Sequence, residues 1–244
     1  LSVVNDNIIW VSGSNGIVGR STNAGKNWKW LTVTGFEKTE FRDIEAFDGN
    51  TAIIMGIGEP AYILKTTDAG ENWKVVYENK TKGMFLDAMD FANNREGIVI
   101  GDPINGKVFI ARTSNTGNTW EQITEDERTP TADKGEAFFA ASGSNVRLFV
   151  NNDYFIVSGG TRSRLFTNTK TIFLPLIQGK ETTGANAIDI FDDGIPRKPG
   201  NRMIVVGGDF NADSLTEKNC LYSLNGGKTW GTPDTPPNGN RSCV

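Results

Sequence analysis

Thr66-Thr67-Asp68-Ala69-Gly70-Glu71-Asn72-Trp73 is the stretch whose reading decides the fold. The Asp at its third position can accept hydrogen bonds from the amides of its own turn. Glycine at the fifth supplies a positive φ that other residues resist. The closing Trp brings a large apolar surface and one N–H that needs a partner. These are the needs of a hairpin turn, so the octet predicts a turn between two strands. It recurs as Ser21-Thr22-Asn23-Ala24-Gly25-Lys26-Asn27-Trp28, Thr113-Ser114-Asn115-Thr116-Gly117-Asn118-Thr119-Trp120 and Ser223-Leu224-Asn225-Gly226-Gly227-Lys228-Thr229-Trp230. Asn23, Asn115 and Asn225 stand where Asp68 does, and the role expected of all four boxes is structural, with Trp28, Trp73, Trp120 and Trp230 mostly buried between or beneath blades. A worn copy ends at Phe173, with Asn168 and Lys170 at the Asp and Gly positions. The terminal aromatics recur every 45 to 57 residues, the period of a four-stranded propeller blade.

Outward from the box, each unit reads as four strands, A to D. The second unit gives Phe41 to Phe47, Thr51 to Gly56, Ala61 to Lys65 and Trp73 to Tyr77, and the third gives Phe85 to Phe91, Gly97 to Gly101, Val108 to Arg112 and Trp120 to Ile123. The segments are short, β-branched and closed by glycine, which argues against a helical repeat. Fold class is therefore all-β, a single β-propeller domain of four-stranded antiparallel blades. The blades are expected at residues 1–36, 37–81, 82–128, 129–180 and 181–237, with insertions around Ser142 to Val146 and Asp192 to Asn201. Residues 238–244 match the start of another strand A, so the chain reads as an incomplete ring that stops inside a sixth blade.

The octet resembles the Asp-box, or BNR repeat, of sialidase-like propellers. The phrase Trp10-Val11-Ser12-Gly13-Ser14-Asn15-Gly16-Ile17-Val18, running into Ser21 and Trp28, is similar to the repeat of the photosystem II stability and assembly factor family and its bacterial relatives. That resemblance implies a seven-bladed ring, protein binding during assembly, and a place outside the cytosol, exported or in the cell envelope. An "oxidoreductase" label attached to some bacterial relatives finds no support here, because no dinucleotide, haem or flavin motif is present.

The 25 basic and 29 acidic side chains leave a net charge of -4, which gives no general attraction for nucleic acid or anionic lipid. There is no histidine, which excludes Ser-His-Asp and Cys-His mechanisms. Cys220 and Cys243 are too few for a disulfide scaffold and match no zinc spacing. No segment approaches the ~18 apolar residues of a membrane span. Two tripeptides fit the N-glycosylation pattern, Asn79-Lys80-Thr81 and Asn240-Arg241-Ser242, a pattern common by chance.

In an up-and-down blade the starts of strand A share one face with the B-to-C loops, opposite the boxes. The candidate binding residues on that face are Arg42, Asp43, Asp87, Glu136, Asn186 and Arg241 from the strand A starts, with Asn15, Glu59, Asp102, Arg162 and Asp209 from the loops. Carboxylates and guanidiniums gathered from separate blades suit a protein or peptide partner through charge-assisted bonds. An interblade ion-pair ring that only satisfies residues near the axis is the structural alternative. A lectin or glycoside hydrolase would use the same face, with two carboxyls at a set separation. Sialidase chemistry also needs a tyrosine near the axis, yet Tyr62, Tyr77, Tyr154 and Tyr222 fall on strands C, D, B and C. No catalytic residue or cofactor is assigned. A weak calcium pattern at Asp209, Asn211 and Asp213 has Cys220 where an EF-hand needs its bidentate Glu.

Overall fold

The computed structural model describes residues 1–124, 129–141, 143–191 and 200–244. Ser142 and residues 192–199, which belong to the two expected insertions, lie outside the described ones. Every named element among the described residues is a strand. The first sheet comprises β1 (Ser2–Val3), β2 (Ile9–Ser12), β3 (Ile17–Ser21) and β4 (Lys29–Thr32). The second comprises β5 (Phe41–Ala46), β6 (Ala52–Gly56), β7 (Ala61–Thr66) and β8 (Lys74–Asn79). The third comprises β9 (Leu86–Phe91), β10 (Gly97–Ile104), β11 (Lys107–Thr113) and β12 (Glu121–Gln122). Each is a four-stranded antiparallel meander in sequence order. No helix among the described residues is long and apolar enough to cross a membrane.

The remaining strands are β13 (Glu136–Ala137), β14 (Val146–Leu148), β15 (Tyr154–Val157), β16 (Gly159–Gly160), β17 (Arg164–Thr167), β18 (Thr171–Phe173), β19 (Thr183–Ile190), β20 (Met203–Asp209) and β21 (Cys220–Ser223). The fourth sheet runs β14-β15-β17-β18, and the fifth has five strands in the order β13-β16-β19-β20-β21. Two compact units emerge: residues 1–101 with 110–122, and residues 102–109 with 123–244.

The four boxes form turns of one kind. The leading hydroxyl accepts the glycine N–H four residues on, at 2.9 Å for Ser21 and Ser223 and 3.0 Å for Thr66 and Thr113. Oδ1 of Asn23, Asp68, Asn115 and Asn225 accepts the N–H four residues further along, at 2.9 to 3.1 Å. The residue before each box glycine has its N–H on the preceding A-to-B turn, as Ala69 donates to Asn50 at 2.9 Å. The box thus ties the two turns at one end of a sheet together.

Neighbouring sheets lock through these same turns. In the first unit a Cβ on Gly70 would lie 3.2 Å from Leu31 and 3.4 Å from Trp10, and one on Gly117 would strike Ile53 at 2.1 Å. Glycine lets the second and third boxes lie against the sheet before each. Trp10 is fully buried and donates Nε1–H to the Asp48 carbonyl at 3.0 Å. Buried Lys65 reaches from β7 to the third box, donating to the Thr116 carbonyl at 2.6 Å and Asn118 Oδ1 at 3.0 Å. In the second unit the box of the fifth sheet approaches the fourth sheet, with Gly227 over Ile172.

The box tryptophans differ in burial, and two expectations are corrected. Trp120 is buried, whereas Trp28, Trp73 and Trp230 are half-buried. The reason is local for the first two: the indole N–H of Trp28 bonds Gly25 and that of Trp73 bonds Gly70, at 3.0 and 3.1 Å, which holds each ring over its own turn. Glu136 does not begin the inner strand of the fourth sheet, which is β14. It pairs instead with Gly160, and Gly159 pairs in turn with Gly184 of the fifth sheet. A Cβ on Gly184 would come within 2.4 Å of the Gly159 backbone, so two glycines permit this bridge. Residues 238–244 form no strand, since the Asn240 and Arg241 N–H groups bond the Asp213 and Gly207 carbonyls at 2.8 and 2.9 Å.

Burial decides what each tryptophan contributes to stability. Trp120→Ala should lower the unfolding free energy by about 3 to 5 kcal/mol, and Trp28→Ala by about half as much. Urea denaturation of the two variants checks the order, and equal losses would remove the distinction.

Candidate functional site

The starts of three inner strands, β5, β9 and β19, share a device that the sequence did not announce. Pairing of β5 with β6 skips between Phe41 and Asp43, so Arg42 is an extra, unpaired residue. Asp87 is the extra residue of β9, where Leu86 faces Gly101 and Ala88 faces Ile100. Asn186 is the extra residue of β19, between Ala185 facing Gly207 and Ala187 facing Val206. A β-bulge bends its strand and re-aims one side chain, and bulges gather beside binding sites. The residue beside each bulge on the partner strand is a glycine: Gly56, Gly101 or Gly207. A Cβ there would fall 2.8 Å from Thr39 at Gly56, 2.4 Å from the Phe85 carbonyl at Gly101 and 1.9 Å from the Gly184 carbonyl at Gly207.

In the first unit the bulges frame an acidic group. Arg42 is exposed and pairs with Glu40 at 2.7 Å, whereas Asp87 is fully buried. Asp43 is half-buried and accepts the N–H of Ile44 at 2.8 Å and of Met89 at 2.7 Å, joining the second sheet to the third. Burial pushes its carboxyl up to about 7 against those bonds, with Asp90 adding repulsion. Glu45, two residues along the same face of β5, also rises to about 7, through burial first and then the charges of Asp90 and Asp43. Glu59 is exposed and accepts the Gly83 N–H at 2.9 Å. Asn15 is exposed too, in the left-handed region at φ 60.

The second unit holds a charged network around Glu136, whose side chain is 0% exposed. Arg164 clasps it with Nε on Oε1 at 2.9 Å and Nη2 on Oε2. The Asp133 N–H donates to Oε2 at 2.8 Å, and the Ser158 hydroxyl donates to Oε1. Arg164 also donates to the Thr131 carbonyl at 3.0 Å and lies 4.9 Å from the Phe166 ring centre. Its bonds to Glu136 hold the guanidinium above its ordinary pKa. Arg162 stands outside this core, exposed, with Nε 3.1 Å from Asp133.

The other expected residues of this unit have separate surroundings. Asp102 accepts the Phe138 N–H at 3.0 Å, and burial raises its carboxyl. Asp209 is buried and held below the usual carboxylate range, first by the Thr182 hydroxyl at 2.8 Å, then by the Asn211 N–H at 3.0 Å, with Lys180 at 3.5 Å. Asn186 is buried and donates to Gly184 at 3.4 Å, and half-buried Arg241 donates to the Asn240 carbonyl at 2.8 Å. Of the calcium pattern, Asn211 and Asp213 are exposed while Asp209 is buried and bonded elsewhere. No group of three His, Cys, Asp or Glu gathers for a metal among the described residues. Tyr62, Tyr77, Tyr154 and Tyr222 lie on β7, β8, β15 and β21, away from the inner strands. Sequence reasoning missed Asp133, Glu45 and Arg164. Only the alternation of Asp43 with Glu45 along one strand offered a signal.

Repeated antiparallel sheets, four of the five among the described residues having four strands, define this chain as a β-propeller protein. Solved structures bear this out. YCF48 from Cyanidioschyzon merolae, a photosystem II assembly factor, matches 98% of this chain with 85% of its own at 15% identity and TM-score 0.51. A GH74 enzyme from Niastella koreensis matches 94% at 17% identity and TM-score 0.58, and an ancestral GH74 enzyme matches 89% at 16% and 0.53. This chain spans 30% and 29% of those two enzymes. At such identities the likeness is one of fold. No protein-family description matches the sequence, and no curated protein does either.

Glu45 makes stability depend on pH with a definite sign. Its folded pKa lies above the ordinary value, so between about pH 4 and pH 7 the folded chain holds a proton that the unfolded chain has released. Its contribution is full at the acidic end and falls as pH rises. Glu45→Gln should therefore recover about 1 to 3 kcal/mol of the stability that the native chain loses between those limits. Urea midpoints at pH 5 and pH 8 test this, and parallel shifts in both proteins would refute it. The Glu136 network gives the opposite case. Arg164→Met strands a buried carboxylate and should cost about 3 to 5 kcal/mol, part of it restored by adding Glu136→Gln; equal losses in the single and double variants would show that the pair is not the source.

Proposed function

We propose that this chain is a non-catalytic binding module that meets a protein partner through exposed arginines beside the bulged ends of its sheets. The observation that carries this reading is a division of labour between charges. Asp43, Asp102, Glu136 and Asp209 are turned inward and bonded to backbone amides, hydroxyls or arginine. Arg42 and Arg162 keep side chains that are 44% and 55% exposed, each facing a single acidic neighbour. A guanidinium presented this way suits a carboxylate on an incoming chain through a bidentate pair. The fold shared with YCF48, an assembly factor, agrees with this reading, and the compartment that goes with it is outside the cytosol, exported or in the cell envelope.

Hydrolysis of a glycoside would ask for two carboxyls about 5 to 10 Å apart, one of them an acid and the other free to attack or to activate water. The carboxylates above are anchored to the fold, which favours binding over that chemistry. The shared fold with GH74 enzymes keeps a carbohydrate ligand as the alternative.

Surface ion pairs such as Arg162 with Asp133 add little to stability, so charge reversal there leaves a folded bait. In pull-downs from the native source followed by mass spectrometry, Arg162→Glu should retain at least about tenfold less of a partner protein than the native chain, at unchanged melting temperature. Equal retention, or release of reducing sugar from soluble glucans or sialosides by the native chain, would overturn the reading.

A further inference from the structure

The fourth sheet has lost its box turn. Seven residues separate β3 from β4, β7 from β8 and β11 from β12, but three separate β17 from β18. Thr167 closes the short turn by donating its N–H to the Lys170 carbonyl at 2.9 Å. Asn168 does not serve as a box residue: its Oδ1 accepts the Tyr154 N–H at 2.8 Å and its Nδ2 donates to the Asn152 carbonyl at 3.0 Å.

Beside this shortened turn, against the box of the fifth sheet, lies a cavity of ≈ 270 Å³. One wall is aromatic, with Phe149 and Phe155 edge to face at 5.1 Å. Phe155 can lie flat on the chain only because residue 200 is glycine, where a Cβ would come 2.4 Å from the ring. Lys170 and Lys228 also line the cavity, both exposed and neither in an ion pair among the described residues. Asp153 is the acid of the lining, and Asn151 holds its carboxylate at 2.8 Å. The position is at the box end of the sheets, opposite Glu136 and Arg162.

We propose that this cavity binds a small organic anion, its oxyanion group taken by Lys170 and Lys228 and its ring laid against Phe149 and Phe155. Two cations against one engaged carboxylate select for negative charge. An aromatic wall rewards burial of a flat apolar body, and the volume sits at the small end of ligand pockets, which suits a single ring. This inference does not depend on the partner-binding reading, because no arginine of that reading lines the cavity.

Titration of the ¹⁵N-labelled chain with benzoate, and separately with benzamide, tests it by amide shifts. Benzoate should give saturable shifts at residues 149–155, 167–170 and 225–228, and benzamide, of the same shape without the charge, should bind at least about tenfold more weakly. Lys170→Gln with Lys228→Gln should abolish the preference for benzoate while leaving the melting temperature unchanged. Equal affinity for the two probes, a preference that survives the double variant, or no saturation below about 50 mM would each overturn the proposal.

Discussion

The strand B glycine beside each bulge is the constraint on which the polar ends of these sheets depend. Opposite it, strand A carries one residue more than it pairs, and the crowding leaves no room for a Cβ at Gly56, Gly101 or Gly207. With the glycine in place the bulge forms, and the extra residue is turned out of the ladder. What the extra residue is then decides the local character: a guanidinium reaching solvent at Arg42, a buried carboxyl at Asp87, a buried amide at Asn186. One backbone arrangement thus serves three chemistries. The fold holds the geometry and the sequence varies the group.

Charge in this protein is layered. The carboxylates nearest the sheets lie in surroundings that water would not choose for them, and each meets that cost differently. Asp43 and Glu45 hold on to protons, Glu136 takes a bidentate arginine, and Asp209 collects hydroxyl and amide donors that keep it ionised. Burial of a carboxyl is tolerated only along one of these routes. The outer arginines carry no such debt.

Much of this was legible in the sequence, for reasons that are local. The box is a short-range device in which residue type follows from turn geometry, so Thr66 to Trp73 disclosed both the turn and the strands around it. The strands of the second and third units were legible to within a residue or two at most ends, and the four tyrosines fell on the strands expected. Register was not legible, because which residue of strand A is skipped depends on the partner strand. Glu136 shows the same limit more sharply. Its pairing with Gly160 rests on glycines distant in sequence at 159 and 184, and no periodicity points to that meeting. The uneven burial of the four box tryptophans was hidden for the opposite reason, since Trp28 and Trp73 each bond to their own turn and stay over it.

The leading hydroxyl of each box reaches only four residues ahead, and that shortness bears on how the chain is made. A turn fixed by contacts of such low sequence separation closes with little loss of chain entropy, on the timescale of a single hairpin. Each C-to-D hairpin can therefore take its register while later residues are still being synthesised. The next sheet then arrives at a surface already shaped to receive its box, as Trp10 and Leu31 receive Gly70. Growth by addition to a finished edge lets a repeat be gained or dropped over evolutionary time without rewriting those before it.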